Sequence, residues 1–92
     1  MRITWDDSKS EKLKKDRGLS FEEAANAVDG PHFMTKKSED PEQYLGIGFA
    51  NGELITVIYE FREDGEGEFI WLVTYWKATK REAKYYEEFR RR

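Results

Sequence analysis

Hydrophobic positions recur with two different periods along this chain, and the change from one to the other falls near Pro31. Before it, Phe21, Ala24, Ala25 and Val28 fall at i, i+3, i+4 and i+7, the spacing of a helix with one buried face. After it, Leu54, Thr56 and Ile58 alternate with Ile55, Val57, Tyr59 and Phe61, the two-residue period of a strand.

Three helix starts are written as capping boxes, in which a hydroxyl accepts from the amide three residues on and the carboxylate there returns a bond to the cap. They are Ser8-Lys-Ser-Glu11, Ser20-Phe-Glu-Glu23 and Thr79-Lys-Arg-Glu82. The first predicts a helix from Ser8 to Asp16, stopped at Gly18, and the second a helix from Ser20 to Val28, ended by Asp29-Gly30-Pro31. The third runs from Thr79 to Arg90, with Arg90-Arg91-Arg92 complementing its C-terminal dipole.

Between the second and third helices the pattern predicts a short edge strand, Pro31 to Thr35, then a polar loop, Lys36 to Glu42. A strand from Tyr44 to Phe49 is joined to the alternating run after it by Asn51-Gly52, a two-residue hairpin signal in which both positions accept positive φ. Arg62 to Gly67 reads as a longer, acidic hairpin connection. Glu68 to Trp76 is apolar on both faces, as a central strand would be. The order β-α-α-β-β-β-β-α predicts one α+β domain over residues 1–92: two N-terminal helices, a four-stranded antiparallel meander and a C-terminal helix, with the helices on one face of the sheet.

Charge adds a direction to this outline. The net charge is −3, but Lys9 to Arg17 and Lys77 to Arg92 are basic, whereas Glu39 to Glu68 carries many acids against the single Arg62. A positive face, suited to phosphate or to an acidic partner, is therefore open to a protein that is acidic overall. Aromatic residues make up 15% of the chain, so a few large rings supply most of the burial. There is no cysteine, hence no disulfide framework and no thiolate metal site. Met1 to Asp7 has no apolar stretch of signal-peptide length and no later segment could span a bilayer, so a soluble, cytoplasmic protein with no membrane partner is expected.

Few residues suggest chemistry directly. His32 is the lone histidine, and with no cysteine it could bind metal only alongside carboxylates; a structural or surface role is expected. Asp6-Asp7 and Glu22-Glu23 are carboxylate pairs, but each sits at a helix start that already accounts for it. Gly46-Ile47-Gly48 lies on a strand and is too short for a phosphate loop. RNA, however, carries its own nucleophile: a protein need only orient the 2′-hydroxyl and stabilise the developing charge, without cofactor or metal. Lys9, Arg17, Lys77 and Arg81 are the cations available for this near helix starts and the strand end. Trp76 could stack a base, with Lys80 and Lys84 on the basic helix beside it. Tyr86 could bond a phosphate or belong to the core, and Trp5 is expected to be a packed ring.

Trp5-Asp6, Lys9, Gly18, Phe21-Glu22-Glu23-Ala24, Tyr44, Ile47-Gly48 and Lys77-Ala78-Thr79-Lys80-Arg81-Glu82 with Tyr86 occur in the order and at the spacings of the BrnT family, which the chain resembles. These are toxins of bacterial type II toxin-antitoxin modules, related in fold to the RelE ribonucleases. The resemblance implies an RNA-cleaving toxin neutralised by a small DNA-binding antitoxin of BrnA type. Exposed sheet edges leave a homo-oligomer open as well. The chain departs from the family in three places. Asp16-Arg17-Gly18 stands for Lys-His-Gly, Glu42-Gln43-Tyr44 for Glu-Arg-Tyr, and Thr74-Tyr75-Trp76-Lys77-Ala78 for Ser-Ala-Arg-Lys-Ala. An absent cation at the scissile phosphate typically removes about 2.7–4 kcal/mol of transition-state stabilisation. Either Arg17 and Arg81 compensate, or the chain has lost cleavage and kept partner binding as a catalytically degenerate module.

Overall fold

The sheet is built outward from residues 53–77. The computed structural model describes residues 1–92 throughout. Strand β4 (Glu53–Asp64) pairs antiparallel with β5 (Gly67–Lys77) on one side and with β3 (Glu42–Ala50) on the other, and β3 pairs with β2 (Phe33–Glu39). The β3–β4 turn is the expected Asn51-Gly52, with φ of 51° and 78°, the left-handed conformation a tight hairpin requires.

Three expectations about the sheet are corrected. A fifth strand, β1 (Arg2–Thr4), lies parallel to β5 in register with Phe69–Trp71, giving a mixed sheet in the order β1-β5-β4-β3-β2. β5 is therefore interior only over its first half. Lys36 to Glu42 is largely strand rather than loop: β2 runs to Glu39 and β3 begins at Glu42, with a bulge at Lys37. An edge strand exposed on both faces needs no hydrophobic alternation, so the pattern there reads as loop. The β4–β5 connection is also tighter than expected, Asp64 pairing with Gly67 across two residues.

The helices lie on both faces of the sheet, not on one. Helix α1 (Asp7–Arg17) and the one-turn α2 (Phe21–Ala24), which tightens into a 3₁₀ turn at Ala25–Ala27, cover the face carrying Ile55, Val57, Tyr59, Leu72 and Tyr75. Because a 3₁₀ turn has three residues per turn, Phe21, Ala24 and Ala27 line the buried side, and Ala25 is only half buried. Phe21 is fully buried, a contribution of about 1.5–3 kcal/mol. Gly48 permits this close approach: a Cβ there would lie 2.2 Å from the Ala27 carbonyl oxygen. Helix α3 (Lys80–Arg90) packs on the opposite face, where Phe33 stacks on Tyr85 and Phe49 meets Tyr86 edge-on. This second cover is why both alternating sets of β4 are apolar.

The helix starts follow two of the three expected boxes. Ser20–Glu23 and Thr79–Glu82 form both reciprocal bonds. At α1 the cap is Asp6, accepting from the Lys9 amide at 2.8 Å, and Ser8 lies within the helix. An aspartate two residues upstream caps as well as serine and lengthens the helix. The buried Ser10 hydroxyl instead accepts from the Phe21 amide at 2.8 Å, joining α1 to α2. No helix is long and apolar enough to cross a membrane.

Candidate functional site

The C-terminal end of β5 and the first turn of α3 hold most of the candidate residues. The link between them, Ala78-Thr79, is fixed by the Ala78 amide donating to the Leu54 carbonyl at 3.1 Å. Thr79 then caps α3, and Glu82 completes the box. Glu82 does more than cap. It accepts from the Thr79 amide at 2.9 Å, the fully buried Thr56 hydroxyl at 2.9 Å and the Trp76 indole N–H at 3.0 Å. Burial alone would raise this carboxyl, but the bonds from Thr79, Thr56 and Trp76 together hold it below the usual carboxylate range. Glu82 thus ties α3 to β4 and β5.

Trp76 has its N–H committed to Glu82 and its ring half buried. Tyr86 is likewise half buried, its ring 5.5 Å from Phe49 and 6.0 Å from Phe89. Both rings are packing elements where α3 meets the sheet.

The cations divide between the two faces. Lys77 is opposite Ile55 in the ladder and so projects on the α1–α2 side, whereas Trp76, opposite Thr56, projects toward α3. Arg17, at the end of α1, donates to the Tyr75 carbonyl and, at 3.4 Å, to the Thr74 hydroxyl, covering the part of the β5 edge that β1 leaves open. Arg81 sits on the other face; its Nε donates to the Tyr85 hydroxyl at 3.0 Å, leaving its terminal nitrogens uncommitted. Lys77, Lys80 and Lys84 form no hydrogen bond or ion pair through their side chains. Arg17, Lys77, Lys80 and Arg81 therefore gather at one end of the sheet, on both sides of it. Lys9 is eight residues before Arg17 on the same helix, roughly 12 Å away along its axis, and does not join them.

Two features escaped the sequence reading. One is the pair of donors, Thr56 and Trp76, that joins the capping-box bond at Glu82, for which the only local signal was a threonine in an otherwise apolar stretch of β4. The other is a cleft of about 480 Å³ between α3 and β2, in which Arg81 and Glu82 face Phe33, Thr35 and Leu45. Acidic residues mark the far end of the sheet, at the β2–β3 turn and the β4–β5 hairpin. There Arg2 pairs with Asp64 at 2.7 Å and Arg62 with Glu60 at 2.8 Å. Charge is thus separated along the sheet. His32 is structurally engaged: Nδ1 lies 2.7 Å from the Gly30 carbonyl, and Nε2 3.2 Å from the Tyr59 hydroxyl. No three His, Asp or Glu side chains come together as a metal-binding group.

A small α+β domain with a cation-rich strand end and a cleft under its last helix is the setting in which the sequence comparison falls. A sequence model described as the ribonuclease toxin BrnT of type II toxin-antitoxin systems matches residues 5–82, spanning α1 to the first turn of α3. The chain belongs to this BrnT toxin family. No curated protein matches it in the same kind of comparison.

Proposed function

We propose that the protein is a cytoplasmic bacterial toxin on a RelE-like fold that cleaves RNA without a metal, through attack of the 2′-hydroxyl on the adjacent phosphate. Family membership supplies the reaction class and a protein antitoxin as partner; the BrnA type of that antitoxin is part of the proposal. The observation that carries the reading is the group of cations around the β5–α3 junction, none of which is held in an ion pair. Arg81 would bind and stabilise the phosphate from the α3 side, with Lys80 and Lys84 following the strand. Lys77 and Arg17 would act from the α1–α2 side, and Lys9 would contact flanking phosphates. The products would be a 2′,3′-cyclic phosphate and a 5′-hydroxyl, since the nucleophile is internal.

A second reading is favoured by Trp76. With its N–H held by Glu82, it supplies no charge where the family has a guanidinium, and the same fold would then serve as a protein-binding module without cleavage. Incubation of a long single-stranded RNA with purified protein in EDTA, beside a folded Lys77→Ala/Arg81→Ala variant, separates the two. Cleavage by the parent that the variant loses, with cyclic phosphate ends, supports the enzyme. Intact RNA with both proteins supports the binding module.

A further inference from the structure

We infer that Tyr85 is a positioning residue for phosphate binding. Its hydroxyl holds the Arg81 guanidinium so that both terminal nitrogens are presented as a fork to the two oxygens of an RNA phosphate. The inference rests on the toxin reading above, and adds to it a residue that acts through Arg81 rather than on the substrate.

The arrangement follows from the helix period. Arg81 and Tyr85 are four residues apart on α3, so their side chains are neighbours on one face. Arg81 Nε donates to the Tyr85 hydroxyl at 3.0 Å, and the guanidinium carbon lies 5.9 Å from the ring centroid. A guanidinium can grip an anion along more than one edge, and committing Nε leaves the edge made by the two terminal nitrogens. Tyr85 is held in turn, its ring stacked on Phe33 of β2 at 5.6 Å with 11° between the planes. The sheet thus reaches the guanidinium through two rings and one hydrogen bond. An arginine left loose must be ordered when it binds, at a cost in side-chain entropy that this anchorage lowers beforehand.

The other cations at the junction are not prepared in this way. Arg17 uses one of its terminal nitrogens on the Tyr75 carbonyl and the Thr74 hydroxyl. Lys77, Lys80 and Lys84 carry single ammonium groups on flexible stems, with no fork to present. The carboxylate next to Arg81 leaves the fork free, because Glu82 accepts from Thr79, Thr56 and Trp76 instead. Were Tyr85 a packing residue alone, its ring on Phe33 would suffice and the hydroxyl would be dispensable.

The test measures binding of a single-stranded RNA oligonucleotide with every 2′-hydroxyl methylated, which removes the nucleophile, to the full chain and to Tyr85→Phe, Arg81→Lys and the double variant. Tyr85→Phe keeps the ring and removes only the hydroxyl, and is expected to weaken binding roughly three- to tenfold. Arg81→Lys keeps the charge without the fork, and should weaken it at least as much. In the Arg81→Lys background, Tyr85→Phe should change affinity by less than about twofold, because the nitrogen that the hydroxyl held is gone. In the free protein labelled with nitrogen-15, the Arg81 Nε–H should give a slowly exchanging resonance that Tyr85→Phe loses while the backbone spectrum stays folded. Equal affinity of the parent and Tyr85→Phe would overturn the proposal, as would the same loss from Tyr85→Phe in both backgrounds, an Arg81 resonance indifferent to Tyr85→Phe, or no binding by the parent. Cleavage is read separately, with unmodified RNA in EDTA. A parent that binds as expected but leaves that RNA intact sinks the ribonuclease reading alone; one that cleaves it while Tyr85→Phe binds equally well sinks this inference alone.

Discussion

The hydroxyl of Tyr75 on β5 closes a two-bond clasp on Leu19, accepting from its amide at 2.9 Å and donating to its carbonyl at 2.8 Å. Both partners are buried, so the clasp satisfies the backbone where the chain turns between α1 and α2. Tyr75→Phe keeps the ring but strands both groups, and is expected to cost about 1–3 kcal/mol. Urea unfolding would measure it; a change below about half a kcal/mol would show that water takes over the hydroxyl's role.

Trp76 and Glu82 should behave as one unit. Trp76→Phe removes a donor to a carboxylate and Glu82→Gln weakens three bonds at once, with expected losses of about 1–3 kcal/mol each. The double variant should lose less than their sum, by a coupling energy of about 0.5–3 kcal/mol. Additive losses in a double-mutant cycle would show that the indole bond contributes nothing in solution.

Gly48→Ala is expected to destabilise by about 1–3 kcal/mol, because its methyl group would collide with the Ala27 backbone, which cannot swing aside as a side chain could. Thermal unfolding would register this as a lowered midpoint. The same change at Gly65, where nothing lies within 4 Å, should be tolerated far better.

Acid should weaken the packing of the helices. The Lys14 ammonium, then the Ser20 amide, hold the Glu23 carboxyl down at about 2, against an ordinary 4.5. A carboxyl lowered in the folded state adds stability above its unfolded value, and that stability is lost as pH falls from about 4.5 toward 2. Glu82 acts in the same direction. Urea midpoints at about pH 6 and about pH 3 should therefore differ, and Glu23→Gln should narrow the difference.

What could be read from the residues alone followed local chemistry. Ser20 and Thr79 cap as their boxes predict, Gly18 ends α1, and Asn51-Gly52 turns the hairpin, because each of these is decided within a few residues. The order read from the residues opens with a strand, but the parallel pairing of β1 with β5 was hidden, since three residues show no period and their partners are far along the chain. Lys36 to Glu39 looked like loop because an edge strand exposed on both sides carries no burial signal. At the site, the basic character of the β5–α3 junction was legible. The division of its cations between two faces required the register, which sets Lys77 against Ile55 and Trp76 against Thr56.

The pairing of β1 with β5 also orders events in time. Residues 2–4 stand beside residues 69–71, so the first strand of the chain is among the last parts able to find its place. The β3–β4 and β4–β5 hairpins close locally, whereas β1 must wait until residues 69–71 exist and then close a long loop. During synthesis the opening residues are therefore expected to remain unpaired until β5 is complete. Pulse-labelling hydrogen exchange should find the Arg2–Thr4 amides protected later than those of β4.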